Sequence, residues 1–175
     1  HILSHSAGLS YGFIEPDSVV DQAYNKTINV LSDFSLDLEE FCAEIAKLPL
    51  AYEPGTSWRY SVATDVCARL VEVLSGQKFD EFLRDNLFTP LAMVDTDFWV
   101  PPEKASRFTT MYAPTDIFKP MAPGLVKVDD PIAGQYNQQR KWLSGGGGLA
   151  STVSDYVAFL QMLVNGGEWN GQRIL

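Results

Sequence analysis

The stretch PGTSWRYSVA, residues 54–63, places Tyr60 between a Pro-Gly turn and the start of an amphipathic segment. Apolar residues recur at three- and four-residue steps over 62–75 and predict a helix that Gly76 ends. A phenol just before a helix lies near free backbone N–H groups and the positive end of the helix dipole, and both favour a phenolate. Such a tyrosine can act as a general base when a nucleophile lies within hydrogen-bond reach. The alternative is an aromatic ring that only packs on the core.

Three further helices are predicted around this one. Asp37 with Glu40 three residues later is a capping-box pattern and opens a helix to about Lys47. A second helix is expected over about 79–87, and a third over 152–164, with Thr152 at its start. The inward face of the first is expected to comprise Leu38, Phe41, Cys42 and Ile45.

The rest of the chain reads as loops and short extended pieces. Residues 1–36 are rich in turn formers and are expected to be largely loop. Short β-like pieces occur at 96–100, 108–112 and 125–128, in a region whose frequent prolines indicate edge strands and extended loops. The sequence therefore predicts a predominantly α fold with short β pieces.

The amino-acid composition limits the classes of function that this chain can have. The 175 residues are 46% hydrophobic and 20% charged, which predicts a single globular domain, 1–175. A net charge of −9 argues against nucleic acid or an anionic membrane as a partner, and no apolar run approaches the roughly 18–20 residues of a membrane span. Two histidines without a Cys or His cluster predict no metal site. Cys42 and Cys67 are expected to be buried free thiols on helices.

Two serine patterns lack the context that their chemistry needs. Residues 8–12 fit G-x-S-x-G, but no hydrophobic strand precedes Ser10 and no helix follows it. Residues 75–78 fit S-x-x-K, but Ser75 ends a helix, and Gly76 breaks the turn that would align serine and lysine on one face. Neither serine is therefore expected to be a nucleophile.

A glycine loop, SGGGGL at residues 144–149, leaves its backbone open to close approach. No lysine follows it, so it is not a phosphate-binding loop. Two interpretations stay open: a hinge or tight turn into the next helix, and the wall of a ligand pocket.

Taken together, four segments resemble motifs of the serine β-lactamase-like superfamily, which includes class C β-lactamases, DD-peptidases and family VIII carboxylesterases. Residues 2–9, ILSHSAGL, are similar to L-L-x-H-x-S/A-G-L, and residues 54–61 are similar to P-G-x-x-x-x-Y-S/A. Asp65 and its helix follow as in the family. Residues 144–152 resemble S-x-G-G-x-G-L-x-S-T, and 165–167, Asn-Gly-Gly, its usual sequel.

This resemblance implies the helical region of an α/β serine β-lactamase-like fold, with the sheet largely missing. It also implies a serine hydrolase that forms an acyl-enzyme, has Tyr60 as general base or proton relay, and uses no cofactor. The expected substrate is a small ester or a lactam. Val62 replaces the family's amide-binding Asn and favours an esterase over a β-lactamase. The resemblance places these residues at the substrate pocket: Trp58, Ser61, Val62, Ser144, Gly145, Gly146 and Gly147.

The family's S-x-x-K and K-T-G motifs are expected before His1 and beyond Leu175, which implies an internal fragment. Because loss of a nucleophile costs on the order of 10⁶ in rate, the chain alone is expected to be inactive. It is also expected to self-associate or to pair with the missing parts of its domain, since large apolar patches rarely stay uncovered. The alternative is a non-catalytic binding or structural protein on the same fold. An S-x-x-K before His1 would favour the enzyme.

Overall fold

The structure, a computed structural model, describes residues 1–28, 35–116 and 119–175. Its regular elements are mainly helices joined by long loops, with four short strands, which confirms the predicted fold class. The helices are α1 Val19–Thr27, α2 Leu38–Ile45, α3 Ala63–Ser75, α4 Phe79–Leu83, which continues as a π-helical turn Arg84–Phe88, and α5 Val153–Val164. The strands are β1 Met111–Pro114, β2 Leu125–Asp129, β3 Glu168–Trp169 and β4 Gln172–Arg173. Among the described residues, no helix is both long and apolar enough to cross a bilayer.

The strands form two small antiparallel hairpins, β1 with β2 and β3 with β4. The piece predicted at 125–128 is confirmed as β2, whereas the piece predicted at 108–112 forms a strand only from Met111. Residues 96–100 contribute a single antiparallel bridge, between Asp97 and Ala150. That bridge joins the end of the glycine loop to the middle of the chain.

Capping side chains determine where three helices begin. Asp37 accepts a hydrogen bond from the Glu40 amide while the Glu40 carboxylate accepts one from the Asp37 amide, which confirms the predicted capping box. Thr152 caps α5 through the amide three residues later. Ser18 caps α1 in the same way, by accepting from the Asp21 amide.

Helix α1 lies within the loop-rich residues 1–36 and is a helix that the sequence analysis does not predict. The Ser18 cap and the spacing of Val20 and Tyr24 are the signals for it, but they are short and follow several turn formers. Tyr24 anchors α1 because its ring is fully buried. Residues 29–34 of the predicted loop lie outside the described residues.

The apolar core consists of two clusters. The larger joins α1, α2 and the segment before α3, and the indole of Trp142 meets the ring of Phe41 edge-on at 4.1 Å between centroids. Its buried members are Tyr24, Ile28, Phe41, Ile45, Val62 and Trp142. The smaller cluster packs α5 on the turn after α4 and contains Phe88, Leu91, Met93 and Met162. The predicted inward face of α2 is confirmed: Leu38, Phe41 and Ile45 are buried, and Cys42 packs against the larger cluster. Cys42 and Cys67 are free thiols, but they are only partly buried.

Helix α3 buries a different face from its apolar stripe. Leu70, Val73 and Leu74 are 47%, 61% and 79% exposed, whereas Asp65 and Glu72 are almost fully buried. Both carboxylates accept hydrogen bonds from neighbouring segments, which compensates the cost of burying their charge. The stripe predicts the helix correctly, but it does not predict which side of the helix faces the protein.

Candidate active site

Tyr60 lies in the extended segment that leads into α3, three residues before the helix begins. Its side chain is 46% exposed. Its ring lies between two others, 5.0 Å from the ring of Tyr11 and 5.1 Å from that of His5, between centroids. The phenol is therefore accessible, and its ring is held by aromatic neighbours.

Tyr11 and Tyr60 lie side by side, and each phenol affects the electrostatic surroundings of the other. Burial, the nearby Asp65 carboxylate and the Tyr60 phenol raise the pKa of Tyr11 well above its usual value. Tyr11 therefore keeps its proton at any physiological pH. Thr64, on the first turn of α3, acts in the opposite direction and lowers the pKa of Tyr11.

His5 fixes the main chain on both sides of Tyr60. Its carbonyl accepts hydrogen bonds from the Arg59 amide at 2.9 Å and from the Tyr52 hydroxyl at 3.2 Å. Its Nδ1 lies 3.3 Å from the Ser61 Oγ. His5 itself adopts the left-handed backbone conformation, with φ 52°. These contacts join the first motif of the chain to the tyrosine motif.

A buried ionic cluster holds the residue next to Tyr60. The Arg59 guanidinium lies 2.8 Å from a Glu15 carboxylate oxygen and 3.7 Å from one of Asp21. Asp21 is fully buried and accepts hydrogen bonds from the Ser10 hydroxyl and the Glu15 amide. Ser10 is also fully buried, which is consistent with its rejection as a nucleophile.

The glycine loop is attached to α3 by a carboxylate. The Ser144 hydroxyl donates to Asp65 Oδ1 at 2.6 Å, and the Gly146 amide donates to the same oxygen at 3.4 Å. Burial raises the pKa of Asp65, while the hydrogen bonds from Ser144 and the loop amides oppose that rise. Because Asp65 is five residues after Tyr60, this attachment fixes the loop relative to the tyrosine.

Two positions of the loop require glycine because the loop backbone lies so close to α3 and Tyr11. A Cβ on Gly145 would lie 2.4 Å from the Thr64 carbonyl oxygen and 2.9 Å from the Ala68 Cβ. A Cβ on Gly146 would lie 3.0 Å from the Tyr11 hydroxyl. A Cβ on Gly147 would meet nothing within 4 Å.

Tyr60 and the glycine loop face each other across a cleft of about 290 Å³. Of the predicted site residues, the cleft is lined by Tyr60, Ser144, Gly146 and Gly147. Its other lining residues are Tyr11, Phe13, Phe98, Gln135, Tyr136, Arg140, Trp142 and Gly148. The lining is thus rich in aromatic rings and backbone surface.

The other predicted pocket residues lie outside this lining. Val62 is completely buried in the larger core cluster, and Ser61 is buried against His5, so neither side chain faces the cleft. Gly145 packs on α3. Trp58 is 65% exposed and meets the His5 ring edge-on.

Sequence reasoning missed Tyr11, Asp65 and Arg140 as members of the site. Tyr11 lies inside the rejected G-x-S-x-G match, where only the serine was weighed. Asp65 is a polar residue on the first turn of a helix, a position that ordinarily indicates a favourable dipole interaction. Arg140 precedes the glycine loop without any motif, so its sequence context carries no signal.

The family model described as Beta-lactamase matches residues 1–175. The chain belongs to the beta-lactamase family. Lovastatin esterase of Penicillium rubens is 30% identical over 165 residues, which are 93% of this chain and 38% of that protein. Esterase EstB of Burkholderia gladioli is 36% identical over 99 residues, which are 56% of this chain and 25% of that protein.

A solved structure described as EstCE1, a hydrolase with promiscuous acyltransferase activity, has the same fold. It matches with a TM-score of 0.77 at 24% identity, over 99% of this chain and 47% of that chain. This likeness confirms the expected partial β-lactamase-like fold. The chain spans less than half the length of these relatives.

Proposed function

We propose that this chain supplies the general-base side of the active-site cleft of a serine hydrolase that cleaves small esters through an acyl-enzyme. The observation that supports this most directly is the half-exposed Tyr60 phenol, which lies beside Tyr11 in a cleft bounded by the glycine loop. Two relatives are named as esterases, which favours an ester over a lactam as substrate.

We propose that the Tyr11 hydroxyl, whose ring lies beside that of Tyr60, donates a hydrogen bond to the Tyr60 oxygen and so prepares it for proton transfer. A donor that keeps its own proton stabilises negative charge on the oxygen that accepts from it. The half-exposed Tyr60 oxygen therefore takes up a proton from the cleft side, while its ring stays fixed by Tyr11 and His5. This combines an accessible base with a rigid position, as general-base catalysis requires.

In the proposed reaction, a serine hydroxyl oxygen attacks the ester carbonyl carbon and its proton passes to the Tyr60 oxygen. The bond from that carbon to the alcohol oxygen then breaks, and the departing alcohol takes the proton from Tyr60. Water attacks the resulting acyl-serine in the same way, which releases the acid and restores the serine. An alcohol in place of that water would give acyl transfer by the same steps.

The serine is expected from the S-x-x-K motif of the family. The S-x-x-K match at 75–78 does not supply it, because Ser75 is the last residue of α3 and Gly76 is left-handed, with φ 73°. The 175 residues alone are therefore expected to show no esterase activity.

The test uses the full-length protein that contains this chain, with p-nitrophenyl butyrate and nitrocefin as substrates. Tyr60→Phe is expected to lower kcat for the ester by about 10²–10⁴, because the base is removed. Tyr11→Phe is expected to lower it by only about 10–100, because one hydrogen bond to a charged oxygen is lost. Tyr156→Phe, on the exposed face of α5, is the matched control and should leave activity unchanged.

Full activity of Tyr60→Phe would refute the role of Tyr60. Hydrolysis of nitrocefin in preference to the ester would shift the proposal to a β-lactamase. A folded full-length protein without activity on either substrate would instead support the non-catalytic alternative.

A further inference from the structure

Aromatic side chains dominate the part of the Tyr60 cleft that the structure describes. Six of its twelve described lining residues carry an aromatic ring, whereas aromatic residues make up 12% of the whole chain. The six are Tyr11, Phe13, Tyr60, Phe98, Tyr136 and Trp142. They come from widely separated segments of the sequence, so this enrichment is a property of the folded cleft and not of one aromatic stretch.

The Phe13 ring extends the aromatic surface around Tyr60. It stacks on the Tyr11 ring, with 5.3 Å between centroids and 19° between planes. The Tyr11 ring in turn lies 5.0 Å from that of Tyr60. These three rings all line the cleft, and they therefore form one aromatic surface that begins at the proposed base.

Two further rings of the lining are attached to the glycine loop. The Tyr136 hydroxyl donates to the Gly147 carbonyl oxygen at 3.0 Å. The Phe98 ring lies so close to Gly148 that a Cβ at this glycine would come within 2.8 Å of the Phe98 Cδ1. An aromatic surface thus also lies at the glycine loop, the side of the cleft that faces Tyr60.

Neighbouring side chains hold these two rings in place. Phe98 is 5% exposed and packs on the Phe79 ring, with 5.8 Å between centroids. The Tyr136 ring meets that of Phe108 edge-on at 5.8 Å, and the Arg140 guanidinium lies over it, 5.1 Å from its centre. Side chains that are already fixed lose little conformational entropy on binding, so these rings form a preorganised surface for a ligand.

The volume of the cleft limits what this aromatic surface can accommodate. A cavity of about 150 Å³ lined by apolar side chains holds one benzene molecule. The cleft measures about 290 Å³, so it has room for one six-membered ring together with a short chain and an ester group. Against ring surfaces, a flat aromatic ring makes offset-stacked or edge-to-face contacts that a saturated ring of similar size cannot make.

We propose that this cleft selects substrates whose acyl part ends in a flat aromatic ring, and that Phe13 and Tyr136 both recognise this ring. Each of the two side chains is partly exposed, and neither takes part in the proposed proton transfer. That the substrate is an ester rests on the proposed function; that the cleft takes an aromatic ring does not.

The kinetic test uses the full-length protein that contains this chain and two esters that differ only in the ring, methyl 3-phenylpropanoate and methyl 3-cyclohexylpropanoate. The leaving alcohol, methanol, carries no ring to compete for the cleft. The cyclohexyl group buries more apolar surface, so the hydrophobic effect alone favours it. The wild type is instead expected to hydrolyse the phenyl ester with a kcat/KM about tenfold higher, as contacts with two rings predict.

Two ring-to-leucine variants locate the recognition. Phe13→Leu and Tyr136→Leu are each expected to lower the phenyl-to-cyclohexyl ratio of kcat/KM about threefold, because one ring contact is lost. Tyr136→Phe keeps the ring and should keep the ratio, although it removes the hydrogen bond to Gly147. Tyr112→Leu is the matched control, because Tyr112 is 58% exposed on β1 and lies outside the described lining of the cleft.

Each ratio is measured on one protein, so a smaller folded fraction in a variant does not change it. Equal or better hydrolysis of the cyclohexyl ester by the wild type would overturn the proposal. So would a ratio that either leucine variant leaves unchanged, or one that Tyr112→Leu lowers as much as they do. A ratio that Tyr136→Phe lowers as much as Tyr136→Leu would overturn it too, because the hydroxyl and not the ring would then be responsible.

A binding arm separates this inference from the proposed function. 4-Phenylbutan-2-one and 4-cyclohexylbutan-2-one carry a methyl ketone in place of the methyl ester and cannot be hydrolysed, and their affinities for the full-length protein are measured by calorimetry. If the protein hydrolyses both esters equally well, only the inference about the aromatic ring fails. If it hydrolyses neither ester but binds the phenyl ketone about tenfold more tightly through Phe13 and Tyr136, only the proposed reaction fails. If it neither hydrolyses the esters nor binds the ketones, both fail.

Discussion

The attachment of the glycine loop to α3 predicts a large difference between two glycine-to-alanine substitutions two residues apart. A methyl group at Gly145 would lie 2.4 Å from the Thr64 carbonyl oxygen and 2.9 Å from the Ala68 Cβ, both on a rigid helix. A methyl group at Gly147 would meet nothing within 4 Å. Neither glycine has a left-handed backbone, so conformational strain does not separate the two sites.

The expected magnitude follows from two contributions. Overpacking against a backbone atom costs about 1–3 kcal/mol. If the loop moves away instead, the 2.6 Å hydrogen bond from Ser144 to the buried Asp65 carboxylate is weakened, at about 1.5–3 kcal/mol. Gly145→Ala should therefore lower the free energy of unfolding by about 3 kcal/mol. For a chain of this size that corresponds to a fall in Tm of roughly 6–12 °C.

The assay is thermal and urea unfolding of the 175-residue chain, followed by far-UV circular dichroism. Gly147→Ala should change stability by less than about 0.5 kcal/mol, or raise it slightly, because the unfolded chain loses freedom. Equal losses in the two variants would refute the reasoning. So would a Gly145→Ala protein as stable as the wild type, because the contact with α3 would then not constrain the loop.

Two further predictions concern charge and association. Burial raises the pKa of Asp65, so the folded state binds the Asp65 proton more tightly than the unfolded state does. The protonated Asp65 therefore contributes its full stabilisation below the pKa of the unfolded state. That stabilisation is lost as pH rises through the pKa of the folded state. Urea unfolding from acid to neutral pH should show that the free energy of unfolding of the wild type falls relative to that of Asp65→Asn, by up to about 1.4 kcal/mol per pH unit. A wild type that instead gains stability relative to Asp65→Asn as pH rises would contradict the prediction. The exposed apolar face of α5, which includes Val157 at 55% and Leu160 at 42%, is expected to drive self-association of the 175-residue chain. Sedimentation velocity should show oligomers that Val157→Glu with Leu160→Glu reduces, whereas a stable wild-type monomer would contradict the expectation.

The helices that the sequence predicts well begin or end at residues that act on their immediate neighbours in the chain. The capping box at Asp37, the Thr152 cap and the glycine after Ser75 act within one helical turn, so their residue types are sufficient to place helix ends. Helix α1 was missed because its signals are short and follow a run of turn formers. The buried face of α3 could not be read from its apolar stripe, because the Asp65 carboxylate accepts from Ser144, 79 residues away in the chain, and no local pattern encodes that partner.

The residues of the site also fall into those that a local motif predicts and those that only the fold brings together. Tyr60 and the glycine loop lie in recognisable motifs, and the resemblance of those motifs to one family is enough to expect them in one cleft. Tyr11, Asp65 and Arg140 have no motif of their own, and each owes its place in the site to the fold: Tyr11 lies against the Tyr60 ring, Asp65 accepts from Ser144, and Arg140 lines the cleft.

The sequence by itself determined the helical character, the helix boundaries with strong caps, the family, and the two segments that meet at the cleft. Only the tertiary structure decided which side of α3 is buried, which aromatic rings lie against Tyr60, and which residues of the middle of the chain line the cleft. The physical reason is the range of the interactions. Caps and turns are satisfied within a few residues, whereas the desolvation, hydrogen bonding and charge of a buried group depend on partners that folding brings together from distant parts of the chain.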